Sequence, residues 1–156
     1  MTRGGPELLD DPIAQQLLAS TIPARIAYVW TDGTPRITSM WFHWSGTQLV
    51  MATFKGAPKL NALASGDRVA LSIDSNEPPN HVLSIRGALE RTDMRGVVPE
   101  YAAAAARYLG QEYATGYIRS LPGDVPMARL AVRPEHVVLL DFETRFPSAL
   151  RSLGLA

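Results

Sequence analysis

Lys55 and Lys59 stand four residues apart in Met51–Ser65, MATFKGAPKLNALAS, a segment without an acidic residue. Both flank a helix start predicted at Pro58, where proline suits the first helical position. A helix N-terminus carries unpaired N–H groups and a partial positive charge, which favours Asp or Glu and disfavours Lys. A bound phosphate would resolve the conflict, because backbone N–H groups near Lys59 and two ammonium groups could surround one anion. The alternative is a pair of solvated lysines, which exposed helix ends tolerate at little cost.

A second chemical feature is Pro35–Trp44, PRITSMWFHW. Read as a strand, it places Ile37, Ser39, Trp41 and His43 on one face and Thr38, Met40, Phe42 and Trp44 on the other. Both faces are partly apolar, so one should meet a core and the other a helix, a second subunit or a flat ligand. Core packing and an aromatic cofactor platform remain open as readings, since aromatic rings serve either.

The rest of the catalytic inventory is thin. His43, His81 and His136 fall on separate predicted strands without H-x-x-H or H-E-x-x-H spacing, so no metal site is expected. The chain lacks a G-x-S-x-G elbow, a Walker A sequence and a G-x-G-x-x-G after a strand. It has no cysteine, which excludes thiolate chemistry and disulfides. With 15 basic and 15 acidic residues, no global charge attracts nucleic acid or an anionic membrane. No signal peptide or long apolar run is visible, so a soluble cytoplasmic protein is expected. At 156 residues and 46% hydrophobic, the chain should form one domain with its own core.

The elements that must position these residues can be read in order. After a loose MTRGGPE, Asp10-Asp11-Pro12 predicts an N-cap and first turn, with Ile13, Ala14, Leu17 and Leu18 on the buried face. Ala24–Thr31, Arg36–Trp44 and Gln48–Phe54 predict a three-stranded meander, joined at Asp32-Gly33 and Ser45-Gly46. A short helix over Lys59–Ala64 is followed by strands Arg68–Asp74 and His81–Glu90, with a bulge or close approach at Gly87. An alanine-rich helical stretch over Arg95–Arg119 should be divided or frayed by Gly110 and Gly116. Two last strands, Met127–Val132 and His136–Phe142, should be broken by Arg133-Pro134, and the tail beyond should wander. The expected fold is mainly β, a small antiparallel barrel with peripheral helices over residues 8–142 of a single domain.

The order of the hairpin, PRITSMWFHWSGTQLVMATFKGAPKLNAL, GDRVALSID and VLSIRGALE resembles the split β-barrel flavin and deazaflavin oxidoreductases related to pyridoxamine 5′-phosphate oxidase. The resemblance covers roughly residues 8 to 142. It implies a homodimer of six-stranded Greek-key barrels that binds FMN or the deazaflavin F-420 between subunits. It further implies that Lys59 holds the cofactor phosphate, with Thr53 and Lys55 on the path beside it. Thr38, Ser39, Met40 and Trp41 match the strand lining the isoalloxazine ring, and Arg129 falls near an arginine that some members contribute from the second subunit.

The implied activity is hydride transfer between the cofactor and a small organic substrate stacked near Met40 and Trp41, with orientation and electrostatics from the protein. The segments RITSMW and KGAPK depart from the pattern of pyridoxamine 5′-phosphate oxidase itself, which makes that activity unexpected and leans the reading toward the deazaflavin branch. Tyr113, Tyr117 and His43 are candidate proton donors by chemistry alone, and no catalytic residue is assigned. The competing reading is a carrier or sensor that binds a flavin, haem or another flat ligand without turnover.

Overall fold

The structure is a computed structural model that describes residues 3–154. Its eight strands are β1 (Arg3–Gly4), β2 (Ala24–Val29), β3 (Pro35–Met40), β4 (His43–Trp44), β5 (Leu49–Phe54), β6 (Arg68–Asp74), β7 (Val82–Arg95) and β8 (Pro126–Leu140). All pairings are antiparallel, in the order β3-β2-β6-β7-β8-β5-β4, with β1 added along β8. Six strands are long, and the two-residue strands β1 and β4 are additions to them. The order β5-β8-β7-β6 is a Greek key read from its far end.

The two ends of this path, β3 and β4, are consecutive pieces of one chain segment. Residues up to Met40 pair with β2, and from His43 the same segment pairs with β5. Trp41 and Phe42 make the crossing. Phe42 is fully buried, and Arg107 donates to its carbonyl while its guanidinium lies 4.8 Å from the ring centroid. The expected meander is therefore corrected. The β2–β3 hairpin forms, but its loop runs from Trp30 to Thr34, and only the stub β4 pairs with β5. The main partner of β5 is β8.

The alternation of β6, with Val69, Leu71 and Ile73 buried, points one face into a core shared with Ile26, Leu49, Met51, Ile85, Leu130 and Leu139. Strand β5 is buried on both faces. Its outer side meets a smaller cluster of Ala52, Val98, Val125 and Met127, with Phe54 and Tyr101 packed against it. That cluster lies beneath α2 (Pro99–Leu109), which turns at Gly110, φ 84°, into α3 (Gln111–Ser120). Gly110 divides the helical stretch as expected, whereas Gly116 lies inside α3.

Helix α1 (Pro12–Ala19) begins as its sequence predicts. Asp11 accepts from the Ile13 N–H at 2.9 Å, Pro12 opens the first turn, and Ala14, Leu17 and Leu18 are buried. The expected break at Arg133-Pro134 does not occur. Strand β8 runs through it, because the register shifts at Gly87, which opposes Pro134, and Glu135 beside the proline is the extra residue of a bulge. Strand β7 also continues past Glu90 to Arg95.

The chain ends are more tied than expected. Arg3–Gly4 pairs with Val137–Val138, and a 3-10 turn follows over Pro6–Asp10; Met1 and Thr2 lie outside the described residues. After β8, Asp141 is 2% exposed and gathers the tail. It accepts from the backbone N–H groups of Glu143, Thr144 and Arg145 and from the Thr144 hydroxyl, while Arg145 bridges it to Asp11. A last short helix, α4, spans Ser148–Ser152. Among the described residues no helix is long and apolar enough to cross a membrane.

Burial pushes the Asp141 carboxyl up, but the hydrogen bonds from Thr144 and the neighbouring backbone N–H groups outweigh it and hold it well below the ordinary value. A depressed folded-state pKa stabilises the fold fully above the unfolded value of 3.8, and this contribution is lost as pH falls through the folded one. In Asp141→Asn, urea unfolding at neutral pH should show a loss of about 1.5–3 kcal/mol, the range for hydrogen bonds to a charged group. The difference from wild type should shrink as the pH is lowered below 4, a value set by the ordinary carboxylate range.

Candidate functional site

Five of the residues singled out in the sequence converge. Ser39, Met40, Trp41, Thr53 and Lys59 line an open depression of about 250 Å³, joined by Ala52 and Tyr101. Ser39 and Trp41 come from the outward side of the β3 crossing, whereas Met40, 8% exposed, faces the barrel core. Thr53 stands near the end of β5, opposite Ala128.

Lys59 is delivered by a turn. Beyond β5 the chain bends at Gly56, φ 98°, and forms one 3-10 turn over Pro58–Asn61 in place of the expected helix over Lys59–Ala64. Proline opens it as predicted, but four residues do not build a helix dipole, and the N–H of Leu60 is already bonded to Ala57. The case for an anion here thus passes from the helix end to the Lys59 ammonium. Arg91 on β7 clamps the turn, donating to the carbonyls of Leu60 at 2.7 Å and Leu63 at 2.9 Å while paired with Asp93. Arg91→Ala should weaken anion binding at Lys59 several-fold and destabilise the fold by about 1–3 kcal/mol through two orphaned carbonyls. Titration with inorganic phosphate beside urea unfolding measures both.

Three predicted residues lie outside the lining. Thr38 is on the opposite face of β3 from Ser39. Lys55 is exposed at the end of β5, where its charge helps the Arg91 hydrogen bonds to lower the Asp93 carboxyl. Arg129 donates Nε at 3.0 Å and Nη2 at 2.7 Å to one oxygen of Glu100, and both side chains are about one-fifth exposed. These bonds hold the Glu100 carboxyl below its ordinary value against the opposing effect of burial, with His43 adding slightly. The donors of Arg129 thus pin α2 to the sheet. Of the candidate proton donors, Tyr113 is 70% exposed and outside the lining, and Tyr117 meets the site only through Tyr101.

The aromatic wall was only half visible in the sequence. Trp41 stacks on Tyr108 at 5.4 Å and 9°, and meets Tyr101 at 5.9 Å and 33°. Tyr101 and Tyr108 are seven residues apart on α2, a spacing that puts both on one helical face, which is the signal that could have found them. The Tyr101 hydroxyl is 2.8 Å from that of Tyr117, and burial pushes Tyr101 well above the ordinary phenol value. Among the described lining residues Lys59 is the one formal charge, and no carboxylate opposes it. The site can accept an anionic group at Lys59 beside a flat surface at Trp41 and Tyr101. A larger depression of about 380 Å³ lies between Pro6–Asp10 and Trp44, and contains none of the predicted site residues.

No family model matches the chain, and no curated protein does. Solved structures do. An F420 reductase is 23% identical, with 79% of this chain and 94% of that one covered at a TM-score of 0.55. A putative pyridoxamine 5′-phosphate oxidase from Listeria innocua is 17% identical, with 81% and 94% covered and a TM-score of 0.58. HutZ, a heme storage protein from Vibrio cholerae, is 14% identical, with 83% and 94% covered and a TM-score of 0.58. Identities this low establish architecture, and the split β-barrel of the pyridoxamine 5′-phosphate oxidase-like proteins is the fold of this chain.

Proposed function

We propose that this protein binds a phosphate-bearing flavin or deazaflavin, FMN or F-420, and uses it in hydride transfer with a small organic molecule. The observation that carries the reading is the isolated Lys59 ammonium in a depression walled by Ser39, Trp41, Thr53 and Tyr101. The donor set fits a phosphate diester or monoester: one ammonium, the aliphatic hydroxyls of Ser39 and Thr53, and no carboxylate among the described lining residues. When bound, the cofactor supplies the hydride chemistry. The protein's part is to anchor the anion at Lys59, to orient the ring against Trp41, and to exclude water at the apolar edge formed by Met40 and Ala52.

A homodimer is part of the proposal. The depression of about 250 Å³ is smaller than the usual range for sites that enclose a ligand of this size. Beside it the outer face of β2, β3 and β6 is bare, with Ile37 68% and Val29 60% exposed and the small side chains of Ala27 and Ala70 in register with Ile37. A second copy covering that face would deepen the depression into a groove. Ile37→Asp should shift sedimentation from dimer to monomer and weaken cofactor binding in parallel; an unchanged dimer would place the interface elsewhere.

A non-catalytic carrier is the competing reading, supported by the heme storage protein among the structural neighbours. The described lining contains no histidine to ligate an iron, leaving only Met40 and Tyr101 as candidates. Fluorescence titration of ligand-stripped protein with FMN and F-420 in parallel tests the cofactor. Micromolar or tighter binding of one supports the proposal, and binding of neither overturns it. Faster reoxidation of the reduced cofactor by an added substrate than in free solution then separates enzyme from carrier.

A further inference from the structure

We infer that Trp41, Tyr101 and Tyr117 form a relay in which Trp41 passes an oxidising equivalent to Tyr101, which holds the radical, while Tyr117 takes its proton. The rings follow one another from the depression toward α3, at 5.9 Å from Trp41 to Tyr101 and 6.4 Å from Tyr101 to Tyr117. Indole and phenol yield a single electron more readily than aliphatic side chains, and no cysteine competes in this chain.

Tyr108 is nearer to Trp41, at 5.4 Å, yet it is the poorer acceptor of the hole. A phenol holds a radical only if its proton leaves with the electron. The Tyr108 hydroxyl donates at 3.0 Å to the carbonyl of Ile22, an amide oxygen too weakly basic to keep a proton. The Arg107 guanidinium, 4.9 Å from the Tyr108 ring centroid, also opposes positive charge there. Tyr101 differs on both counts: no guanidinium among the described residues stacks on its ring, and its acceptor has a proton of its own to release. Its hydroxyl shares a 2.8 Å hydrogen bond with that of Tyr117, which is partly exposed and can pass its own proton to water.

The chemistry closes in two steps. A one-electron oxidant takes an electron from Trp41, and the indole N–H proton goes to water, leaving a neutral indolyl radical. An electron then moves from Tyr101 to that radical, and the indole nitrogen regains a proton from water. The Tyr101 proton passes to the Tyr117 oxygen as Tyr117 releases its own. Indolyl radical and phenol have become indole and phenoxyl radical, with nothing else consumed. The inference rests on the proposed function only for the source of the oxidant in the cell, a photoexcited flavin-type cofactor, which takes up the electron.

The test uses the ligand-free full chain and azide radical generated by pulse radiolysis. In Trp30→Phe/Trp44→Phe, which leaves Trp41 as the single indole, the indolyl absorption should decay by a first-order process independent of protein concentration while phenoxyl absorption grows. Adding Tyr101→Phe should slow that decay by at least an order of magnitude, and adding Tyr108→Phe should leave it unchanged. Tyr117→Phe should remove the solvent-deuterium effect on the rate. An unchanged decay without Tyr101, or a decay lost with Tyr108, overturns the path, as does the absence of an indolyl radical. Should the double variant not fold, the difference between wild-type and Trp41→Phe traces reports the same transfer. Because no cofactor is present, failure here leaves the cofactor reading intact, and failure of the cofactor titration leaves this one intact.

Discussion

Gly87→Val should leave little or no folded protein at room temperature. A Cβ on Gly87 would stand 2.0 Å from the Arg133 carbonyl oxygen and 3.0 Å from its carbon, both backbone atoms of the paired strand. Neither strand can yield, because β7 and β8 are central in the sheet and Gly87 opposes Pro134 where the register shifts. Overpacking a core costs about 1–3 kcal/mol when flexible side chains can adjust, and more when they cannot. A contact of 2.0 Å with backbone lies beyond that range, and a loss of about 5 kcal/mol or more would cancel the stability of a domain at the lower end of the typical range of about 5–15 kcal/mol. Gly87→Ala should already show about 3 kcal/mol by urea unfolding, at the upper end of the usual single-substitution effect. Gly116→Ala is the control with the opposite sign. Nothing lies within 4 Å of a Cβ there and the residue is inside α3, so alanine should gain about 0.5–1 kcal/mol. Equal effects at the two positions would mean that the close approach at Gly87 is wrong.

Lys59→Ala should raise the Kd for the phosphate-bearing cofactor by about 10–100-fold, the equivalent of losing one charge-assisted hydrogen bond of roughly 1.5–3 kcal/mol. Its unfolding free energy should stay within about 0.5 kcal/mol of wild type, since the side chain is partly exposed and takes part in none of the fold's ion pairs among the described residues. Lys59→Arg should recover most of the affinity, whereas Lys59→Glu should lose more than alanine does. Lys55→Ala is the comparison that matters. Four residues away, it lies outside the depression beside Asp93, and its removal should change affinity less than twofold, as screened surface charges do. Calorimetric titration at two salt concentrations measures all four variants. Wild-type affinity in Lys59→Ala would remove the phosphate assignment.

How far the sequence reached depends on whether a feature was local. The Asp11 cap, the Pro12 first turn, the β2–β3 hairpin and the division at Gly110 each depend on a few adjacent residues, and each forms as the residue types predict, with the hairpin loop longer than the two residues expected. Gly87 was also legible, because glycine in an alternating strand signals a bulge or a close approach. The reading of Arg133-Pro134 as a break failed for the complementary reason. A proline ends a strand unless the pairing can shift around it, and the partner that allows the shift, Gly87, lies nearly fifty residues away on β7. The helix over Lys59–Ala64 failed because one turn of good helix formers cannot offset nucleation without packing along its length, and Arg91 instead fastens a 3-10 turn.

The candidate site divides in the same way. Period-two alternation along Pro35–Trp44 set Ser39 and Trp41 apart from Thr38 and Met40, so the sequence by itself determined which side chains of that strand share a face, and the structure decided which face is outward. It also supplied Lys59 and Thr53 and excluded thiolate chemistry. Only the tertiary structure decided that Lys59 enters the depression and Lys55 does not, because the direction of each ammonium follows from the bend at Gly56 and the clamp at Arg91. Only the tertiary structure engaged Arg129 with Glu100, and brought Tyr101 and Tyr108 against Trp41 from a helix some sixty residues downstream. The physical reason is that alternation, caps and turns are settled by steric and hydrogen-bonding preferences over a few residues. Which distant charge or ring meets which is settled by where β3 crosses from one end of the sheet to the other.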